Sequence, residues 1–580
     1  MYLHKLRISG FRRFEHLNIT FKRGLNVIVG PNNGGKTAVV DALRVLLSIS
    51  EDSSLRLTEL DLHQASNGGR ATEAKFVFVF RGLTRLEEAE FVNALRPVRR
   101  RDPSKKTYEA VITIQYSAVE PGGRLRVKRW VGDHDENQLT TEMLEELRSV
   151  YLQPLRDPAS GLRPGRSSQL SKLLHRLSEK EQREQLREVL KSFDRVLMPE
   201  PPLSTANSVI ADKHRSMLGR ELAQLLSLEL SPSDFARFAA RIGLSIGGME
   251  VEQNGLGFNN LIYMAVVLSE LSLNGAASYC ALIVEEPEAH LHPQLQAVLL
   301  DYLKKVEHPE KGQRAVQVFV TSHSPNFAAL ADLDSISCVY DGPEGPAVFS
   351  PRNVKFEPGK KEKLQRYLNV TRAELFFARR LILVEGIAEI FIIEALAEKI
   401  GHDLRKSSVS VISTDGLNFD CFLPLFGEGA MQIPVGVISD ADPPADVYPK
   451  KNGEVSLSAV GKGLQKAQDS FVKCFFALKT LEYDLALEKS CRQLMLAALS
   501  DMHPKVGARL RRVVSDPKQT SSVHRARALF KGMFGSEATS KGVQKGRFAQ
   551  LLAFHIASSK AKVVAPAYIV NAINFVVGRG

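Results

Sequence analysis

The chain has 580 residues, with 77 Lys+Arg against 65 Asp+Glu, a net charge of +12 and a pI near 9.3. That length is too great for one core and predicts two or three domains, and 44% hydrophobic with 24% charged residues is the balance of an ordinary globular protein. No apolar run of about 18 residues exists to make a transmembrane helix, the opening MYLHKLRISGFRRF lacks the pattern of a signal peptide, and five scattered cysteines show no zinc spacing; no membrane association and a cytoplasmic location are expected.

In chain order, LNVIV (25–29) reads as a buried strand followed by a helix from Lys36 to Leu47. KFVFVF (75–80) and AVITIQYS (110–117) read as strands, and VEPGGRLRV (119–127) as a hairpin around a Pro-Gly-Gly turn. Residues of about 160–240 change to charged segments with helical spacing, among them SPSDFARFAARIG with an N-cap-like Ser. They are a helical insertion, either a dimer arm or an ordinary solvated helix pair. Strands return at YCALIV (279–284) and VQVFVT (316–321), and FSPRNVKFEPGKKEK (349–363) reads as a linker. Then LILV (381–384), VSVIS (409–413), VGVIS (435–439) and VKCFFAL (472–478), with a helix at about 387–400, predict a parallel sheet. From about 483 the chain reads as mainly helical and basic. The expected division is an ATPase domain over 1–350, a linker over 351–370 and a second domain over 371–580.

The segment from Gly30 to Thr37 matches G-x-x-x-x-G-K-[ST] between a strand and a helix. Glycines there let backbone N–H groups wrap phosphates at a helix N-terminus. Gly30, Asn32, Asn33, Gly34, Gly35, Lys36, Thr37 and Ala38 are the expected ATP contacts, with Lys36 reaching the β/γ-phosphates and the Thr37 hydroxyl holding Mg²⁺. Downstream, ALIVEEPE ends an apolar strand in two acids: Glu285 is expected near the Mg²⁺ and Glu286 as general base for the attacking water. Aspartate is the usual residue at the first of these positions. His323, after VFVTS, is expected near the γ-phosphate, whereas His290 and His292 are read as structural.

A second set of acids follows. Glu385 ends one strand, Glu389 lies one helical turn later, Asp440 and Asp442 follow another strand, and Glu482 follows a third. Acids gathered at the C-terminal edge of a parallel sheet occupy the usual active-site position of such folds. Hard oxygen ligands suit Mg²⁺ or Mn²⁺, and two such ions would clamp a phosphodiester undergoing hydrolysis. Two basic clusters fit a nucleic-acid partner: Arg96, Arg99, Arg100, Arg101, Lys105 and Lys106, and eleven Lys/Arg between His503 and Arg547, opposed only by Asp516 and Glu537.

The first set of motifs resembles the ABC-type ATPases of the RecF and SMC kind. The resemblance implies that QNGLGFNNL is the signature loop, with Asn254 and Gly255 closing on the ATP of a second subunit, hence a homodimer or higher oligomer; Asn254 stands where Ser is usual. The second set looks like a Toprim domain, whose core acids match Glu385, Asp440 and Asp442. Glu389 and Glu482 match the further acids of Toprim nucleases, and either Lys545 or Lys541 matches their lysine near the scissile phosphate. Together, in this order, the motifs resemble the overcoming lysogenisation defect (OLD) family of ATPase–Toprim nucleases. The resemblance implies an α/β fold of ABC-type ATPase plus Toprim domain with helical additions, and an ATP-regulated DNA endonuclease, in many members serving phage defence and in some paired with a separate helicase-like protein. The other reading is a RecF-like DNA-binding or repair scaffold whose Toprim acids do not cut. A primase or topoisomerase relative is less well matched, since no zinc module and no motif marking a nucleophilic tyrosine is visible.

Overall fold

The computed structural model describes all residues except 50–54, 66–67, 99–106, 120–123, 155–156, 166–167, 229–233, 274, 276, 452, 535–542 and 579–580. Three large sheets organise it. The first is antiparallel, in the order Phe14–Thr20, Tyr2–Phe11, Glu73–Arg81, Tyr108–Ser117, with Leu95–Pro97 and Arg126–Val131 both pairing to the last of these. The expected 119–127 hairpin is represented by that last pairing, and its turn lies outside the described residues.

The second sheet runs Gly345–Phe349, Ile336–Gly342, Leu25–Val29, Gln317–Ser322, Tyr279–Glu285, Leu147–Leu152, parallel except for the hairpin at its first edge. Its strands alternate strictly between two apolar faces. Ile28, Ala281, Ile283, Phe319 and Val339 join the helix Lys36–Leu47 and the phenylalanines of the first sheet in one core. Val27, Val29, Leu282, Val284, Val318 and Val320 face the other way. Gln317 fastens the two sheets: its carbonyl accepts from the Leu3 N–H at 2.8 Å and the Tyr279 hydroxyl at 2.9 Å, and its amide donates to Leu3 O at 2.9 Å.

The helical insertion comprises Pro158–Leu162, Gln169–Leu177, Lys180–Leu197, Pro201–Leu222 and Phe235–Ala239. The last is capped by Asp234, Ser231 lying outside the described residues. None of the residues in the two longest helices is buried, and Val189, Phe193, Val196, Val209 and Met217 are exposed along them.

The third sheet is wholly parallel, in the order Val409–Ser413, Arg380–Val384, Val435–Ser439, Val472–Phe476. It is backed on one side by the helix Ile387–Lys399 and the helices from Leu481 to Val577. Its other face, with Leu381, Leu383, Val435 and Val437, enters the same apolar core as the outer face of the second sheet. The segment 351–370, expected as a linker, holds the short turn Pro351–Asn353 and the helix Lys360–Tyr367, with Leu364 and Leu368 buried in that common core. Phe327, Phe376, Phe419 and Phe422, fully buried, fill the space between the sheets. Among the described residues, no helix is long and apolar enough to cross a membrane.

Truncating a fully buried phenylalanine typically costs about 3–5 kcal/mol. Phe376→Ala should therefore lower the free energy of urea unfolding by that amount, measured by circular dichroism, whereas loss of under about 1 kcal/mol would show that the two sheets do not depend on this core.

Candidate functional site

Two sites emerge at the C-terminal ends of parallel strands. At the first, the loop after Leu25–Val29 needs backbone that only certain residues adopt. Gly30, Asn33 and Gly35 all have positive φ (148°, 61° and 111°). A Cβ on Gly30 would collide with the carbonyl of Val339, and one on Gly35 would lie 2.7 Å from the Phe14 ring. The loop turns its glycine-rich backbone into the helix Lys36–Leu47, which starts at Gly35. Lys36 is buried and donates to the carbonyls of Gly30 at 2.7 Å and Pro31 at 2.8 Å. Burial lowers its pKa to about 8, opposed by the charges of Glu286 and Glu288. Gly34 and Ala38 are buried within the turn, and Asn32 and Thr37 are exposed.

Glu285 is buried at the end of its strand, and burial raises its pKa. It accepts a hydrogen bond from the Tyr151 hydroxyl at 2.5 Å and one from the Thr37 side chain, and Asp41 adds repulsion. Glu286 has a φ of 47°, which swings its carboxylate out of the strand direction to 3.2 Å from Nε2 of His323. Burial and the charge of Lys36 lower the His323 pKa, so the imidazole is neutral at pH 7. Lys36, Glu285, Glu286 and His323 are thus gathered in one place.

Glu288 was not singled out from the sequence. Its carboxylate accepts from the Ser322 hydroxyl at 2.6 Å and the His323 N–H at 3.0 Å, which fixes the turn carrying the imidazole. Its charge pattern, a third acid in EEPE, was the available signal; Tyr151, 134 residues from its partner Glu285, offered none.

Asn254 and Gly255 stand at the start of the helix Leu256–Ser272. The Asn254 amide donates to the Asn259 side chain at 2.9 Å. This helix packs on the acid loop: the Asn260 amide donates to Pro287 O at 3.4 Å, and a Cβ on Gly257 would lie 2.6 Å from His290 O. Among the described residues, no hydrogen bond joins Asn254 or Gly255 to the phosphate loop of the same chain. His292 caps the helix Pro293–Lys305, accepting from the Gln294 N–H at 3.5 Å.

The second site lies between the two central strands of the third sheet. Glu385 accepts from the Ser439 hydroxyl at 2.8 Å and the Asp440 N–H at 2.9 Å. Asp440 accepts from the Leu481 N–H at 2.9 Å, which draws in the segment carrying Glu482. Glu482 is buried and pairs with Lys545 at 3.2 Å, on the first turn of the helix Lys545–Ser558. Gly386 keeps the backbone close to Glu389, whose Oε2 would be 3.2 Å from a Cβ there.

The electrostatics bind these acids together. Burial, then Glu385, Glu482, Glu389 and Asp442, push the Asp440 pKa well above the carboxylate range. Burial, then Glu385 and Glu482, raise Glu389, with Lys545 opposing. Burial pulls Lys545 down, but Glu482, Asp440 and Glu389 outweigh it and raise its pKa. Asp442 is exposed at a φ of 46°, its N–H donating to Lys479 O at 3.3 Å. Among the described residues, no three His, Cys, Asp or Glu side chains stand in ready metal-coordinating geometry. The donor set is nevertheless all hard oxygen, and its mutual repulsion is the condition a divalent cation relieves.

Lys541 lies outside the described residues, as do Arg99, Arg100, Arg101, Lys105, Lys106 and Glu537. Arg96 is committed to Glu109 at 2.6 Å and Asp133 at 3.5 Å. Tyr483, the tyrosine nearest the acids in sequence, is fully buried and donates to Pro449 O at 2.8 Å, so it is not exposed as a nucleophile.

The phosphate loop opens on a cleft against the edge of the third sheet opposite the acids. Pro31 and Asn32 of the phosphate loop line a cavity of about 640 Å³ with Arg379, Arg405, Ser408 and Ser410 of the third sheet. Beside it, Arg13 donates to the Asn33 carbonyl and pairs with Asp341 at 2.8 Å, and Asp341 lies 3.7 Å from Arg379.

Comparison with known proteins agrees with both halves. The family profiles "AAA ATPase domain" and "AAA domain" match residues 126–328 and 5–197, and "Overcoming lysogenization defect protein-like, TOPRIM domain" matches residues 376–442. The chain is 24% identical to the OLD nuclease of Thermus scotoductus over 77% of its own length and 82% of that protein. It is 22% identical to Endonuclease GajA of Bacillus cereus over 44% of its own length and 42% of that protein. Among solved structures, the C-terminal region of the Burkholderia pseudomallei OLD protein matches 35% of the chain and 98% of that structure at 27% identity, with a TM-score of 0.24. The chain is an ATPase–Toprim relative of the overcoming lysogenisation defect proteins.

Proposed function

We propose that the chain is an ATP-regulated, divalent-metal-dependent DNA endonuclease that hydrolyses phosphodiester bonds at the acid cluster of its third sheet. The observation that carries the reading is the convergence of Glu385, Glu389, Asp440 and Glu482, with Lys545 paired to Glu482, at one strand edge. The names of the two relatives, a nuclease and an endonuclease, support the same reading.

In this reading Glu385, Asp440 and Asp442 would hold one Mg²⁺ or Mn²⁺, and Glu389 and Glu482 would help to hold a second. Bound there, such ions supply positive charge to the attacking and leaving oxygens. Ser439 and the Asp440 N–H orient Glu385, and the Leu481 N–H orients Asp440, so each carboxylate keeps its second oxygen free for that role. Lys545 offsets charge that builds on the phosphate. At the other site, Lys36 would exchange the Gly30 and Pro31 carbonyls for the β/γ-phosphates of ATP, and Thr37 would turn from Glu285 to the Mg²⁺ that accompanies the nucleotide. Glu286 would take the proton of the attacking water while the neutral His323 orients it.

DNA is the expected substrate. A homodimer or higher oligomer would bring Asn254 and Gly255 of one copy to the ATP of another, with the uncovered 160–240 helices as a further contact. A helicase-like partner, a phage-defence role and a cytoplasmic location complete the proposal. The competing reading, a RecF-like scaffold that binds DNA without cutting, is favoured by the lack of ready coordination geometry among the described acids.

The two readings separate on supercoiled plasmid with Mg²⁺ or Mn²⁺. Removing a carboxylate that touches the metal should cost more than the about 10–100-fold typical of outer groups, so Asp440→Ala should abolish nicking while leaving ATP binding intact. Nicking at the wild-type rate by Asp440→Ala would install the scaffold reading. For the nucleotide site, Lys36→Ala should lose ATP binding in a filter assay, and Glu286→Gln should bind ATP but not hydrolyse it; equal binding by Lys36→Ala and wild type would refute the site. DNA affinity should fall roughly 10³–10⁵-fold between about 50 and 200 mM salt if about 6–10 phosphates are neutralised, and a flat response would show the basic surface to be mere solvated charge.

A further inference from the structure

The basic surface next to the acid cluster is more organised than its composition requires. Residues 504–534 hold eight Lys/Arg against one carboxylate, Asp516. They form the helices Pro504–Ser515 and Ser522–Phe534, which pack on each other. Among the described residues, none of these eight cations pairs with a carboxylate. Asp516 instead accepts from the Lys518 N–H at 2.8 Å.

Two of the cations are held in a built arrangement. Arg527 and Lys531 are four residues apart on one helix, and so share a face. Both are exposed, with the Arg527 guanidinium 4.8 Å and the Lys531 ammonium 5.8 Å from the ring centre of Tyr448. A third cation, Lys479, is 4.8 Å from the same ring, but it is buried and donates to the carbonyls of Pro444, Ala445 and Val447. Lys479 therefore shapes the loop, and Arg527 and Lys531 face outward. Tyr448 packs edge-on against Tyr483 at 5.6 Å and Phe530 at 6.4 Å. Tyr448 stands six residues after Asp442, and Tyr483 directly follows Glu482. The ring cluster thus ties the cation-bearing helix to two of the acid-bearing segments.

Like charges crowded around one ring repel each other, and the ring's negative face offsets only part of that. A polyanion would supply the missing countercharge. The unpaired cations extend along two helices, which suits a strand of several phosphates better than a single phosphate group. We propose that Arg527 and Lys531, held on Tyr448, form a clamp for the nucleic-acid backbone that positions a strand over the acid cluster. The clamp rests on the nuclease reading for the identity of its ligand. Arg527 and Lys531 are positioning residues; they hold phosphates beside the one that is cut.

The test is equilibrium binding of a fluorescent DNA duplex to the full-length chain in EDTA, where cutting is suppressed. Arg527→Glu/Lys531→Glu should weaken binding at least tenfold and lower the slope of log affinity against log salt by about two, since each phosphate contact contributes about one. Tyr448→Phe keeps the ring and should bind as wild type, whereas Tyr448→Leu should weaken binding several-fold. Lys180→Glu/Lys213→Glu makes the same charge change on exposed lysines of the helical insertion and should leave the slope unchanged. If wild type binds DNA and Arg527→Glu/Lys531→Glu loses no more than this control, the clamp is overturned while the nuclease reading stands. If wild type binds no DNA in EDTA, the clamp falls, and the nuclease reading is decided by the plasmid assay. Thermal midpoints within a degree of wild type keep a folding defect from imitating the result.

Discussion

One apolar core lies between the second and third sheets, and the placement of both sites follows from it. Phe327, Phe376, Phe419 and Phe422 fill the gap between the outward face of one parallel sheet and the inward face of another. Burial of this kind is non-directional, but close packing makes it resist sliding. The phosphate loop and the acid cluster are therefore carried by sheets that move together unless this core opens. The segment joining them contributes Leu364 and Leu368 to the same core. It acts as packing as much as connection.

Against that apolar frame, both sites concentrate buried charge at strand ends. The cost differs in kind. At the phosphate loop, a buried ammonium stands among acids, and Lys36 is drawn toward neutrality by burial while Glu286 and Glu288 oppose this. In the third sheet the excess is negative, and burial and four neighbouring carboxylates push the Asp440 pKa up. Perturbed groups of this kind cluster where chemistry is done.

The phosphate loop also has a polar connection to the third sheet, at the edge opposite the acids. Asn33, Arg13, Asp341 and Arg379 form a continuous chain of polar contacts from the phosphate loop to the residue before the strand that ends in Glu385. These groups are partly exposed, so each link is weak in water and sensitive to salt.

Much of this was legible in the sequence because the signals are local. Short apolar runs such as Tyr279–Glu285 mark buried strands, glycines at Gly30 and Gly35 mark backbone no other residue adopts easily, and acids directly after apolar runs mark strand ends. Those cues put Lys36, Glu285, Glu286, His323, Glu385, Asp440 and Glu482 at or near strand ends, where the fold has them. Periodicity says that a face is apolar but not which other apolar face will cover it, so the core joining the two sheets was decided only by tertiary packing. The same holds for partners distant along the chain. Tyr151 meets Glu285, Ser322 meets Glu288, and Tyr448 meets Arg527 and Lys531, because hydrogen bonds and charge interactions depend on distance through space and leave no pattern along the chain.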